Sequence, residues 1–159
     1  MKNARELISA AVHVSIVSTV KDNNPGMDVS TATRITDEGL KFVSACAAAP
    51  DATLAPSRVV DEGRHALILH TAVYEELCTS LGRRVHHYPG YAPDNYDPAI
   101  LERTQDAIKA AGYDVDAGLW GLPAGAEPVT VAAQCQHAPP GDGPIKPMPT
   151  PRPPCRDKP

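Results

Sequence analysis

Aromatic bulk is scarce in this chain, with one Phe (Phe42), one Trp (Trp120) and five Tyr among 159 residues. A core must therefore be built mainly from Ala, Val, Leu and Ile, and the length suits one domain. Long basic runs are absent and the formal net charge is −4. Phosphate recognition draws on clustered Lys and Arg, so nucleic acid is not expected as a partner. No stretch approaches the roughly 18 apolar residues of a membrane helix. The N-terminal MKNARELISAAVHVSIVSTV breaks its apolar residues with Ser, His and Thr, which spoils a signal-peptide core. The expectation is a cytoplasmic protein with no membrane contact. Cys46, Cys78, Cys135 and Cys155 form no CxxC pair, which argues against a disulfide framework and against a cysteine zinc site. Glycine-rich phosphate loops and a GxSxG elbow are missing too.

Proline is abundant but unevenly placed. Beyond residue 122 the chain holds a large share of its 17 prolines and almost no large apolar residue. Such a composition cannot bury enough surface to offset the entropy of ordering. Two regions are expected: a folded domain over 1–122 and a disordered, Pro-rich tail over 123–159. The PRPP stretch of the tail can serve a protein partner with an aromatic groove, or act as a plain spacer.

Punctuation within 1–122 predicts helices. NNPGMD reads as a turn with Asp28 as an N-cap, followed by Ile35, Gly39, Phe42, Val43 and Cys46 at helical spacing. Ser57 offers a cap for a helix to about His70, and Thr71 for one whose Tyr74, Leu77, Cys78 and Leu81 share a face before Gly82. Asp97 with Pro98 opens a helix that ends at Gly112. The first segment is ambiguous: Val12, Val14, Ile16 and Val20 alternate as in a strand, whereas Leu7, Ile8, Ala11, Val14 and Ser15 trace a helical face. The expected fold is all-α, a compact bundle of about four to five helices. The alternative is a small α+β domain of split-barrel type.

The candidate chemistry lies in two histidine pairs, RHALILH (64–70) and RVHHYPG (84–90). His65 and His70 are separated by about 140° around a helix and cannot easily share an ion. Asp61 and His65, four residues apart, fall on one face, where the carboxylate can orient the imidazole or join it as a ligand. His86 and His87 follow Gly82 in an extended segment, whose neighbouring side chains point opposite ways, so one of the two turns inward. Asp61 and His65 with His86 or His87 would supply the mixed ligands that suit zinc or non-haem iron. The same residues also fit a structural hydrogen bond and a loop packing group. His13 and His137 read as bystanders. Cys78 is expected in the core, which quiets a thiol. Tyr88, Tyr91 and Tyr96 can line a shallow cleft for a small molecule or lid the core.

The order Pro56, Val60, Asp61, His65, Ile68, Leu69, Thr71, Tyr74, Cys78, Gly82, His86, His87, Pro89 resembles short bacterial members of the glycine-rich domain-containing protein-like family. The likeness covers about residues 28–120. It departs at Arg64, where that pattern has Trp, and at Leu67, where it has a second His. The resemblance implies an all-helical domain and a helical N-terminal segment, and it implies no reaction.

Two functions remain open. One is a small binding or scaffold protein whose Asp61, His65, His86 and His87 are mainly structural. The other is a metal-dependent enzyme of a biosynthetic or stress pathway, with His65 and His86 as ligands or as acid and base.

Overall fold

The computed structural model describes residues 1–87, 97 and 99–121. Among the described residues every regular element is helical and no strand occurs. A single 3-10 turn, Ala4–Leu7, precedes six α-helices: α1 (Ala10–Asn23), α2 (Val29–Ala48), α3 (Arg58–Leu69), α4 (Thr71–Ser80), α5 (Ile100–Ala110) and α6 (Ala117–Trp120). The all-α expectation holds. The alternation of Val12, Val14, Ile16 and Val20 belongs to a helix that buries Ile16, Val17 and Val20 and leaves Val14 outside. The proposed tail over 123–159, His137, and Tyr88, Tyr91 and Tyr96 lie outside the described residues.

Local capping explains where helices start. Ser9, Asp28 and Ser57 each sit in extended backbone and accept the N–H three residues on, satisfying one of the orphan donors of a first turn. Thr71 does not act as a cap. His70 occupies that position, and α4 continues almost directly from α3 with no side-chain cap. Asp97 accepts from the Ala99 N–H at 2.9 Å and Ile100 opens α5, so the Asp97 turn precedes the helix instead of starting it. Pro98 lies outside the described residues. At its C-terminus α4 closes on Gly82, whose φ of 79° is open to few other residues. The Gly82 N–H reaches the Thr79 carbonyl and the Arg83 N–H that of Cys78, turning the chain back toward α3.

Helix α2 is central. Between Ala32 and Ala45 it is buried nearly all round, as a helix enclosed by its own domain must be. Helices α1, α3 and α5 and the N-terminal turn pack on it, while α4 and α6 pack on α3. Helices α2 and α3 meet backbone to backbone at Gly39 and Gly63. A Cβ at Gly63 would fall onto the Ile35 carbonyl oxygen, and one at Gly39 would lie 2.9 Å from the Gly63 carbonyl carbon. Both glycines end the same tripeptide, Asp37-Glu38-Gly39 and Asp61-Glu62-Gly63, so matching segments of two helices meet backbone to backbone.

Buried charge ties the remaining pieces to α2. The Glu38 carboxylate, 1% exposed, accepts from Lys41 Nζ at 2.7 Å, from the Asp116 N–H at 3.2 Å and from Trp120 Nε1 at 2.6 Å. Asp37 receives Arg5 through Nε and Nη2 and His13 Nε2 at 2.7 Å, pinning the N-terminal turn and α1 to α2. His13 is thus no bystander: it is buried and holds an inter-helix contact.

Candidate metal centre

Helix α3 carries Asp61 and His65 one turn apart, on the face next to the chain that leaves α4. Asp61 is fully buried, and His65 keeps about a third of its side chain exposed. His65 Nδ1 lies 2.8 Å from the Asp61 backbone carbonyl and 3.4 Å from its Oδ2. A carbonyl only accepts, so Nδ1 carries the hydrogen and the Nε2 lone pair faces outward.

The segment 83–87 brings the second imidazole. Its path is set by the Gly82 turn and by Tyr74, whose buried hydroxyl donates to the Val85 carbonyl at 2.5 Å. Burial pushes the Tyr74 phenol above its ordinary range, so it stays a donor. Val85 is consequently held in the core, and the alternation of burial that follows leaves His86 exposed and turns the half-buried His87 inward. His87 Nε2 ends 3.0 Å from His65 Nε2, with the rings edge to face and centroids 4.6 Å apart. Asp61, His65 and His87 each offer one ligand atom within 4.8 Å of the others.

A separation of 3.0 Å admits two chemistries. His87 Nε2–H can donate to the His65 lone pair, or both lone pairs can face one cation. Two metal–nitrogen bonds of about 2.0–2.1 Å place their nitrogens about 2.9 Å apart at a right angle and about 3.3 Å apart at a tetrahedral one. The observed spacing lies inside that range. Asp61 sits on the Nδ1 side of the His65 ring, the position of a carboxylate that orients a metal-bound histidine. Arg64 is buried beneath, with Nη1 3.5 Å from Asp61 Oδ1 and Nη2 donating to the His86 carbonyl at 3.4 Å.

The other sequence candidates stand apart. His70 donates from Nδ1 to the Ala66 carbonyl at 2.8 Å and meets Ser15 Oγ at 3.2 Å through Nε2, which ties α3 to α1. Cys78 is buried in the core, and burial raises the Cys46 thiol to about 12. Neither is in the group that could hold an ion among the described residues. Sequence reading missed the His13–Asp37 and Trp120–Glu38 contacts. The repeated Asp-Glu-Gly was the available signal, since each of its aspartates stands beside a histidine, His13 or His65.

These features define a small all-helical protein with a His/Asp group set between one helix and the segment that follows the next. Residues 3–108 match the UCP032817-like family, and the chain belongs to it. The match lends nothing to the glycine-rich domain name that the sequence resemblance suggests. No curated protein and no solved structure matches the chain. Among the described residues no helix is long and apolar enough to cross a membrane.

Proposed function

We propose that this chain is a small metal-binding module in which His65 and His87 take one divalent ion of the zinc or iron class, stapling segment 83–87 to α3. The supporting observation is the 3.0 Å approach of two Nε2 atoms, one of which has its tautomer fixed by the Asp61 carbonyl. Asp61 serves as the orienting group, and His86 stands outside the donor set. Imidazole nitrogen with a nearby carboxylate suits zinc and iron better than magnesium or calcium, which prefer all-oxygen sites.

A second reading, a metal-dependent enzyme, is favoured by the exposure of His65. An ion held there by two histidines keeps positions open for water or a substrate, as catalytic metal sites do. The two readings share their first test. Protein purified without a His tag is expected to carry about one equivalent of zinc or iron, lost in His65→Ala and in His87→Ala and kept in His86→Ala. Metal-free protein whose melting is unaffected by the first two substitutions sinks both readings. Metal lost in His86→Ala shows that the donor set is wrong.

A further inference from the structure

Arg64 is a buried side chain that reaches both halves of the centre without being a donor in it. Its side chain is 4% exposed, and at that depth a guanidinium is costly unless it is well partnered. Its partners are few and distant. Nη1 is 3.5 Å from Asp61 Oδ1, Nη2 is 3.4 Å from the His86 carbonyl oxygen, and the guanidinium lies over the Phe42 ring, 5.4 Å from its centroid. Nε makes no hydrogen bond. Contacts of that length stabilise little by themselves, so the side chain is poorly explained as a stabilising ion pair.

Its placement explains it better. Asp61 is the residue whose carbonyl fixes the tautomer of His65, and His86 is bonded directly to His87. One planar fork thus touches the neighbours of both imidazoles and spans the gap between α3 and segment 83–87. Phe42, on α2, lies against the fork, its ring centroid 5.4 Å from Arg64 Cζ. A lysine in the same place would present a single point charge and could not bridge two acceptors at fixed geometry.

We infer that Arg64 is a positioning residue for the metal pair, setting the separation of His65 and His87 through Asp61 and the His86 carbonyl; this rests on the metal-binding reading above. Its removal acts on metal affinity more than on folding. The test is titration of the full chain with cobalt(II), read by its d–d absorption, and with zinc by competition, with thermal melting alongside. Arg64→Lys keeps the charge opposite Asp61 and loses the fork. It is expected to melt near wild type, to bind zinc about 10–100-fold more weakly, and to shift the cobalt spectrum. Arg64→Gln, which retains a donor for the His86 carbonyl, should bind more tightly than Arg64→Met and carries the comparison if Arg64→Lys does not fold. Variants that bind zinc within about threefold of wild type, with an unchanged cobalt spectrum, overturn the inference while leaving the metal reading intact. Wild-type protein that takes up no metal overturns both.

Discussion

Tyr74 decides which histidine faces α3, because its hydroxyl holds the Val85 carbonyl and so fixes the sides taken by His86 and His87. Two positions on, His87 lies inward like Val85, and His86 between them is exposed. Tyr74→Phe leaves that buried carbonyl without its donor and should cost about 1–3 kcal/mol. Urea unfolding checks the size, and the metal content of the variant should fall with it as His87 loses its register. Full metal content in a protein destabilised by that amount would show that His87 is placed by other contacts. The Asp61–His65 half of this site was legible in the sequence, because spacing of four on a helix is a local matter. The choice between His86 and His87 was not, since adjacency alone offers either parity and a hydroxyl eleven residues upstream selects one. His13 was invisible for a similar reason: its partner Asp37 is 24 residues away.

At the scale of elements, caps made most boundaries readable. Asp28 and Ser57 were identifiable because the bond each makes is to an N–H three residues on. Thr71 misled because His70 alone, bent to φ −84° and ψ 65°, separates α3 from α4 and takes the cap position of both without a side-chain cap on α4. What no local pattern conveyed is how closely α2 and α3 approach. Gly39 fell on a predicted apolar stripe, yet nothing in its own helix says that Gly63 of another helix lies against it. Gly63→Ala sets a methyl against the Ile35 carbonyl, and neither backbone can yield without parting the helices. The expected loss is about 3 kcal/mol, at the upper end of overpacking costs. Ordinarily an alanine in a helix interior is favourable by about 1 kcal/mol over glycine, so the sign of the change is diagnostic. Chemical denaturation settles it: a variant as stable as wild type would mean that α2 and α3 are not in backbone contact.

For the whole molecule, α2 is the post to which both ends of the described chain are tied by charge, and acid should loosen those ties. Arg34 holds the Asp116 carboxyl below its ordinary range and Lys41 does the same for Asp114, while local hydrogen bonds lower Asp28. A carboxylate depressed in the folded state contributes stability above its unfolded pKa, about 3.9, and loses it as pH falls through the lower folded value. Melting temperature should therefore hold through neutral pH and fall progressively below about pH 4. Lys41 works in the opposite sense. Burial disfavours its ammonium, but hydrogen bonds to Glu38 and Asp114 outweigh that and raise its pKa, so its contribution is lost only at strongly alkaline pH. Trp120, the single tryptophan, donates to the buried Glu38 and reports on the same latch. If α6 is held to α2 by this network, acid-induced change in Trp120 fluorescence should coincide with loss of helical circular dichroism. Trp120→Phe, which deprives a buried carboxylate of one donor, should cost about 1.5–3 kcal/mol. Fluorescence that changes well before the dichroism would show instead that α6 leaves first and that the latch does not share the cooperativity of the core.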